Sequence, residues 1–165
     1  MKISIGKRLP EAKFLKMGIQ GPEEIKLSHL TKDRKIILIG MPGAFTPTCS
    51  NHHLPSIIRN SEKIYKSGID GILCIVVNDV HVAKAWSQES GADKANISIL
   101  SDYNSQFTKA IGLEFSAPKI GLLNRLQRVF IIAEDNVITY LQLEDKRGSC
   151  LLTSGEKILS IISTS

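Results

Sequence analysis

The run Ile36-Ile37-Leu38-Ile39 leads through Gly40 into Met41-Pro42-Gly43-Ala44-Phe45-Thr46-Pro47-Thr48-Cys49-Ser50. An uninterrupted apolar run of this length reads as a buried strand. The residues from Cys49 onward read as helix. A cysteine placed where a strand gives way to a helix lies beside unpaired backbone N–H groups and the positive end of a helix dipole. Both favour thiolate over thiol, so the pattern predicts a reactive sulfur at Cys49.

Further strand-like runs cover Gly71–Val77, Ile97–Leu100, Val129–Ala133 and Val137–Leu143, and helical patterns cover Cys49–Lys66, Val80–Glu89, Asn104–Ile111 and Glu156–Ile162. Glu134-Asp135-Asn136 is turn chemistry between two apolar runs, which predicts an antiparallel hairpin. The apolar residues from Ile3 to Phe14 are expected to form a short N-terminal hairpin. Pro55 should kink the first helix or mark its true start. Asp79 is the expected N-cap of the second helix, and Ser101-Asp102 of the third. Strands alternating with helices, then a hairpin and a terminal helix, predict an α/β chain: a central mixed β-sheet flanked by helices. A first strand feeding directly into the Cys49 helix is the arrangement of thioredoxin-like folds. No repeat, low-complexity tract or linker divides residues 1–165, which are expected to form one domain.

Composition removes several alternatives. The 165 residues carry 21 Lys+Arg against 16 Asp+Glu, a net charge of +5, but the basic residues are scattered and interrupted by acids. A solvated basic surface is therefore expected, with neither nucleic acid nor membrane as partner. No apolar stretch approaches a membrane span, and the first ten residues lack the apolar centre of a secretory signal, so a cytoplasmic location is expected. Three cysteines without a CxxC pair fit neither a secreted disulfide framework nor a Cys-rich zinc site. His52 and His53 stand beside Cys49, but a zinc site draws about four ligands from two clusters and the sequence offers no second cluster. No metal or cofactor is expected, and His53 is read as a hydrogen-bonding or surface residue.

A thiolate attacking a peroxide displaces a charged leaving group, so the chemistry calls for a cation beside the sulfur and a donor that orients the peroxide oxygens. Thr46 lies one helical turn before Cys49, so its hydroxyl can face the sulfur. Pro42 and Pro47 stiffen the loop. The segment Pro42-Gly43-Ala44-Phe45-Thr46-Pro47-Thr48-Cys49-Ser50, followed by His53-Leu54-Pro55, resembles the peroxiredoxin pattern P-x-x-x-T/S-x-x-C, most closely that of the type II, or type five, subfamily. The resemblance continues in order through Ile5-Gly6, Leu9-Pro10, Cys74-Ile75-Val76-Val77-Asn78-Asp79, Lys84-Ala85-Trp86, Leu100-Ser101-Asp102, Phe107-Thr108-Lys109-Ala110 and Arg125-Leu126-Gln127-Arg128.

The resemblance implies a thioredoxin-like fold and a thiol peroxidase acting on hydrogen peroxide and alkyl hydroperoxides. It implies that Cys49 is the peroxidatic cysteine, that Thr46 holds the peroxide, that Pro42 shields the sulfenic acid and that Arg128 lies over the pocket floor. Arg125 competes for that last role; Arg128 is preferred because it abuts the apolar strand, although Val129 stands where the family often has an aromatic residue. The resemblance also implies a homodimer through the active-site face, with Thr46, Pro47 and His53 near the contact. Cys74, in mid-strand, is read as core. Cys150, in a polar loop, is a possible resolving thiol, and the leading reading is reduction by an external thiol, glutathione with glutaredoxin or else thioredoxin. A redox-sensing or chaperone module using the same cysteine is the alternative.

Overall fold

A computed structural model describes residues 2–164. Its frame is a seven-stranded sheet in the order β2-β1-β5-β4-β3-β8-β9. The strands are β1 (Lys13–Gly18), β2 (Gly21–Lys26), β3 (Lys35–Gly40), β4 (Gly71–Val76), β5 (Ile97–Ser101), β8 (Val129–Glu134) and β9 (Val137–Leu143). The central strands β3, β4 and β5 run parallel, while β8, β9, β1 and β2 pair antiparallel. This is the mixed α/β sheet that the sequence pattern predicts.

Alternation along β3 divides the core in two. Ile37 and Ile39 face a cluster with Leu54 and Ile57 of α2 (Leu54–Lys66), Trp86 of α3 (Val80–Ser90) and Ile158 of α5 (Gly155–Ser163). Ile36 and Leu38 face the other cluster, with Leu27 of α1 (Leu27–Thr31) and Phe107 of α4 (Gln106–Ala110). Both faces of β3 are covered, which explains a run that is apolar at every position. The crossovers β3-α2-β4 and β4-α3-β5 step the same way across the sheet and put both helices on one face, as a constant handedness of connection requires.

Several local expectations change. The N-terminal hairpin is β1–β2, over Lys13–Lys26, and not Ile3 to Phe14. Residues 6–9 instead run beside β9 and the β8–β9 turn, through Gly6 N–H to Ile138 O at 2.8 Å and Leu9 N–H to Asn136 O at 2.9 Å. Leu9 is the buried residue of this stretch, and its partner strand lies some 130 residues away in sequence. The third helix shortens to Gln106–Ala110 with Ser105 at its N-cap, while Asp102 reaches in from upstream to accept from the Phe107 and Thr108 amides at 3.1 and 2.9 Å. Asp79 does cap α3, accepting from His81 and Val82 N–H. The β8–β9 connection is the two-residue turn Asp135-Asn136, both at positive φ. A second, two-stranded sheet, β6 (Glu114–Ala117) with β7 (Leu122–Leu126), carries no strong sequence signal of its own.

The first helix departs most instructively. Helical bonding begins at Pro47, and Cys49–His53 forms a π turn that continues into α2. Pro55 has no N–H to donate and its ring crowds the preceding turn. The wider turn just before it, closed by Leu54 N–H to Cys49 O, takes up that misfit without ending the helix.

Helix α5 docks on α2 through Gly155, whose N–H donates to Ser56 Oγ at 2.9 Å and whose position leaves no room for a side chain against the Ser56 carbonyl. The obstacle is backbone. Gly155→Ala is expected to lower stability by on the order of 2–3 kcal/mol. Urea unfolding measures this, and an unchanged midpoint would refute the packing argument.

Candidate active site

The site forms where β3 ends, and the strand register builds it. Gly40 pairs with Val129, so Arg128, one residue before β8, stands opposite Met41 at the carboxyl end of β3. This is the edge of an open α/β sheet where ligands usually bind. Gly40 also has to be glycine, because a Cβ there would lie 2.5 Å from Leu126 Cδ2 and 2.8 Å from Val129 Cγ1. Without that close approach, Arg128 would stand off from the loop that carries Cys49.

Cys49 is fully buried, in the first turn of its helix. Arg128 Nη2 donates to Cys49 Sγ at 3.4 Å, and the arginine itself is only 4% exposed. A buried guanidinium needs acceptors to offset its lost hydration. Nη1 donates to His53 Nδ1 at 2.7 Å, and Nη2 also reaches the Arg147 carbonyl at 3.4 Å. Among the described residues Nε has no hydrogen-bond partner.

Of the two roles expected for His53, hydrogen bonding holds and a surface position does not. The residue is completely buried, and its Nε2 sits 2.8 Å from Thr153 O. A carbonyl only accepts, so Nε2 carries the proton and Nδ1 is free to accept from the arginine. Burial, reinforced by the Arg128 charge and opposed by the Thr153 carbonyl, lowers its pKa from 6.5 to about 3. The adjacent pair is therefore one cation and one neutral ring. Sequence spacing showed His53 one turn beyond Cys49 but gave no sign of Arg128 or Thr153 beside it.

The loop before Cys49 is held from three sides. Thr46 Oγ1 donates to Gly43 O at 2.7 Å, which leaves the hydroxyl lone pairs to accept from a ligand. Arg125 Nη1 donates to Pro42 O at 3.1 Å, and Asn78 Oδ1 accepts from Ala44 N–H at 2.9 Å. The two arginines therefore divide the work: Arg128 meets the sulfur, and Arg125 anchors the loop. Pro42, Thr46 and Arg128 line one cavity of about 190 Å³, whose other walls include Pro47, Thr48 and Arg147. Of the four residues singled out in the sequence, Pro42, Thr46 and Arg128 share this cavity, and Cys49, buried behind it, is reached through its contact with Arg128.

On the far side, Glu144 organises the loop that supplies the two carbonyls. Its carboxylate accepts from Leu152 N–H at 3.0 Å, Thr153 Oγ1 at 3.0 Å and Ser149 Oγ at 3.1 Å. Nothing in the local sequence marks this role, because the acceptor and its donors gain meaning only once the loop is folded.

The other two cysteines lie outside the contacts of Arg128 described above. Cys74 is fully buried in β4, and burial, with a smaller contribution from Cys49, pushes its thiol far up against the opposing Arg128 charge. Cys150 is half-buried in the Glu144 loop; burial raises its thiol, Arg128 opposes, and Glu144 and Cys49 add to the rise.

The Redoxin family profile matches residues 4–157. The chain is 36% identical over 164 residues to chloroplastic peroxiredoxin-2E-2 of Oryza sativa, with 97% of this chain and 72% of that protein covered. It is 33% identical over 161 residues to peroxiredoxin-2C of the same organism, with 97% and 98% covered. Reduced Prx3 of Vibrio vulnificus in complex with hydrogen peroxide superposes with a TM-score of 0.91 at 35% identity, with 97% of this chain and 99% of that one covered. The fold is therefore that of the thioredoxin-like redoxins, and the enzyme class is thiol peroxidase. The chain belongs to the peroxiredoxins, within the type II, or type five, group.

The histidine makes the site acid-sensitive in a defined direction. Between pH 6.5 and about 3 the unfolded chain protonates His53 while the folded protein keeps it neutral. Stability is therefore full above pH 6.5 and is lost as pH falls, by about 1.4 kcal/mol per pH unit from this group. Denaturant midpoints at pH 7 and pH 5 should differ less in His53→Gln than in the parent protein; equal differences would show that this histidine is not the acid-labile group.

Proposed function

We propose that Cys49 reduces hydrogen peroxide and alkyl hydroperoxides, and that an external thiol, glutathione with glutaredoxin or else thioredoxin, returns the oxidised cysteine. The observation that carries this reading is the Arg128 guanidinium, 3.4 Å from Cys49 Sγ and lining the same cavity as Pro42 and Thr46. The thiolate attacks one peroxide oxygen, the O–O bond breaks, and the departing hydroxide or alkoxide takes a proton. The sulfur becomes a sulfenic acid. Arg128 steadies the charge that develops along this path, Thr46 accepts from the peroxide O–H, and Pro42 covers the product. The hydrogen-peroxide complex of the Vibrio protein supports hydrogen peroxide as a substrate.

An incoming thiol then attacks the sulfenic sulfur, water leaves, and a mixed disulfide forms. A second thiol releases Cys49 and carries away the disulfide. The external origin of that thiol is supported by the state of the other two. Cys74 is locked in mid-strand, and Cys150 has a raised thiol in a loop fastened by Glu144. Exposed Ile120 lines the cavity, and exposed Phe45 and Leu123 are chain neighbours of its lining residues Thr46 and Leu122, which supports a homodimer contact on that face.

Cys49→Ser should abolish turnover. Arg128→Ala should slow oxidation on the order of a hundredfold, the cost of removing one preorganised donor, as followed by stopped-flow peroxide consumption. Normal turnover by Cys49→Ser protein would refute the assignment. Peroxide consumption supported by glutathione plus glutaredoxin, compared with thioredoxin plus its reductase, identifies the reductant. Mass spectrometry of peroxide-treated protein should show sulfenic acid or a mixed disulfide at Cys49, whereas an internal Cys49–Cys150 bridge would overturn the external-thiol reading.

A further inference from the structure

Arg147 is an exposed cation whose position is nonetheless fixed. Its carbonyl accepts from Arg128 Nη2, and the neighbouring Gly148 carbonyl accepts from Thr48 Oγ1 at 3.2 Å, so its backbone is tied to both sides of the site. Its guanidinium carbon lies 5.5 Å from the Phe115 ring centroid, a cation–π contact that limits its rotamers. Among the described residues no carboxylate comes within 4.0 Å of it.

Arg147 lines the cavity that contains Pro42, Thr46 and Arg128, and also an adjoining cavity of about 260 Å³ walled by Phe115, Gln127 and Lys146. Two acids face that second cavity. Glu144 is engaged by the Leu152, Ser149 and Thr153 donors, which leaves Asp145 against three cations: Arg128, Lys146 and Arg147.

We propose that Arg147, with Lys146 beside it, binds the carboxylate of an anionic thiol reductant and so places its sulfur at the mouth above Cys49. This rests on the external-thiol reading given above. A planar guanidinium matches a carboxylate in a two-point contact, and one already stacked on an aromatic ring loses less freedom when it binds. Hydrogen peroxide is neutral and gains little from this charge. A thiol bearing carboxylates gains both encounter rate and orientation. The rim cation thereby separates the two half-reactions that share one entrance.

The test compares thiols of different charge on the same oxidised protein. The protein is treated with one equivalent of hydrogen peroxide, and recovery of the Cys49 thiol is followed with glutathione, neutral 2-mercaptoethanol and cationic cysteamine. The glutathione-to-mercaptoethanol rate ratio should fall about fivefold in Arg147→Ala, the scale of one exposed charge contact. It should fall further in Arg147→Glu, where the cysteamine ratio should rise, and added salt should shrink the glutathione advantage of the parent protein. Ratios unchanged in Arg147→Glu would overturn the inference while leaving the external-thiol reading intact. Failure of all three thiols to restore Cys49 would overturn the inference, and failure of glutaredoxin with glutathione and of thioredoxin with its reductase as well would overturn the external-thiol reading. Because each ratio is taken on one preparation, a change in how well a variant is oxidised does not affect it.

Discussion

A guanidinium withdrawn from water stays in place only if enough acceptors hold it, and the site is built around that requirement. Arg128 is buried between Cys49 Sγ, His53 Nδ1 and the Arg147 carbonyl. Each partner is itself held: the sulfur by the π turn, the ring by Thr153, and the carbonyls by a loop whose donors converge on Glu144. Removing a link leaves a buried charge or donor uncompensated, which is far more costly than loss of an ordinary surface contact. The cation beside the Cys49 sulfur and the rigidity of the surrounding loop are therefore one structural fact.

Neutral His53 is central to this arrangement. A carboxylate in its place would pair with Arg128 directly and draw its charge away from the sulfur. An uncharged ring satisfies the geometry of the guanidinium while leaving its full positive charge facing Cys49. The Thr153 carbonyl selects the tautomer that makes this possible. Protonating the ring would remove the acceptor and set two cations side by side, so burial and the arginine act together to keep it neutral.

The same architecture separates the three cysteines. Cys49 stands at a helix start with a cation on its sulfur. Cys74 occupies an interior register position, paired with Ile39 and closed off on both sides. Cys150 lies in the loop whose fastening by Glu144 the active site needs.

What the sequence determined by itself was local. Unbroken apolarity marked β3, alternating strand and helix patterns marked the α/β order, and Asp79 announced its cap. The spacing from Pro42 through Thr46 to Cys49 put three site residues on one short loop, where neighbours in sequence are neighbours in space. Arg128 became legible through resemblance, since nothing within the chain ties it to a cysteine 79 residues away. Only the tertiary structure decided the rest: the hairpin at Lys13–Lys26, the pairing of residues 6–9 with a late strand, the π turn that absorbs Pro55, the split between Arg125 and Arg128, and the buried role of His53. These depend on strand register and on acceptors from distant loops. Local propensity carries no information about which distant backbone group will arrive.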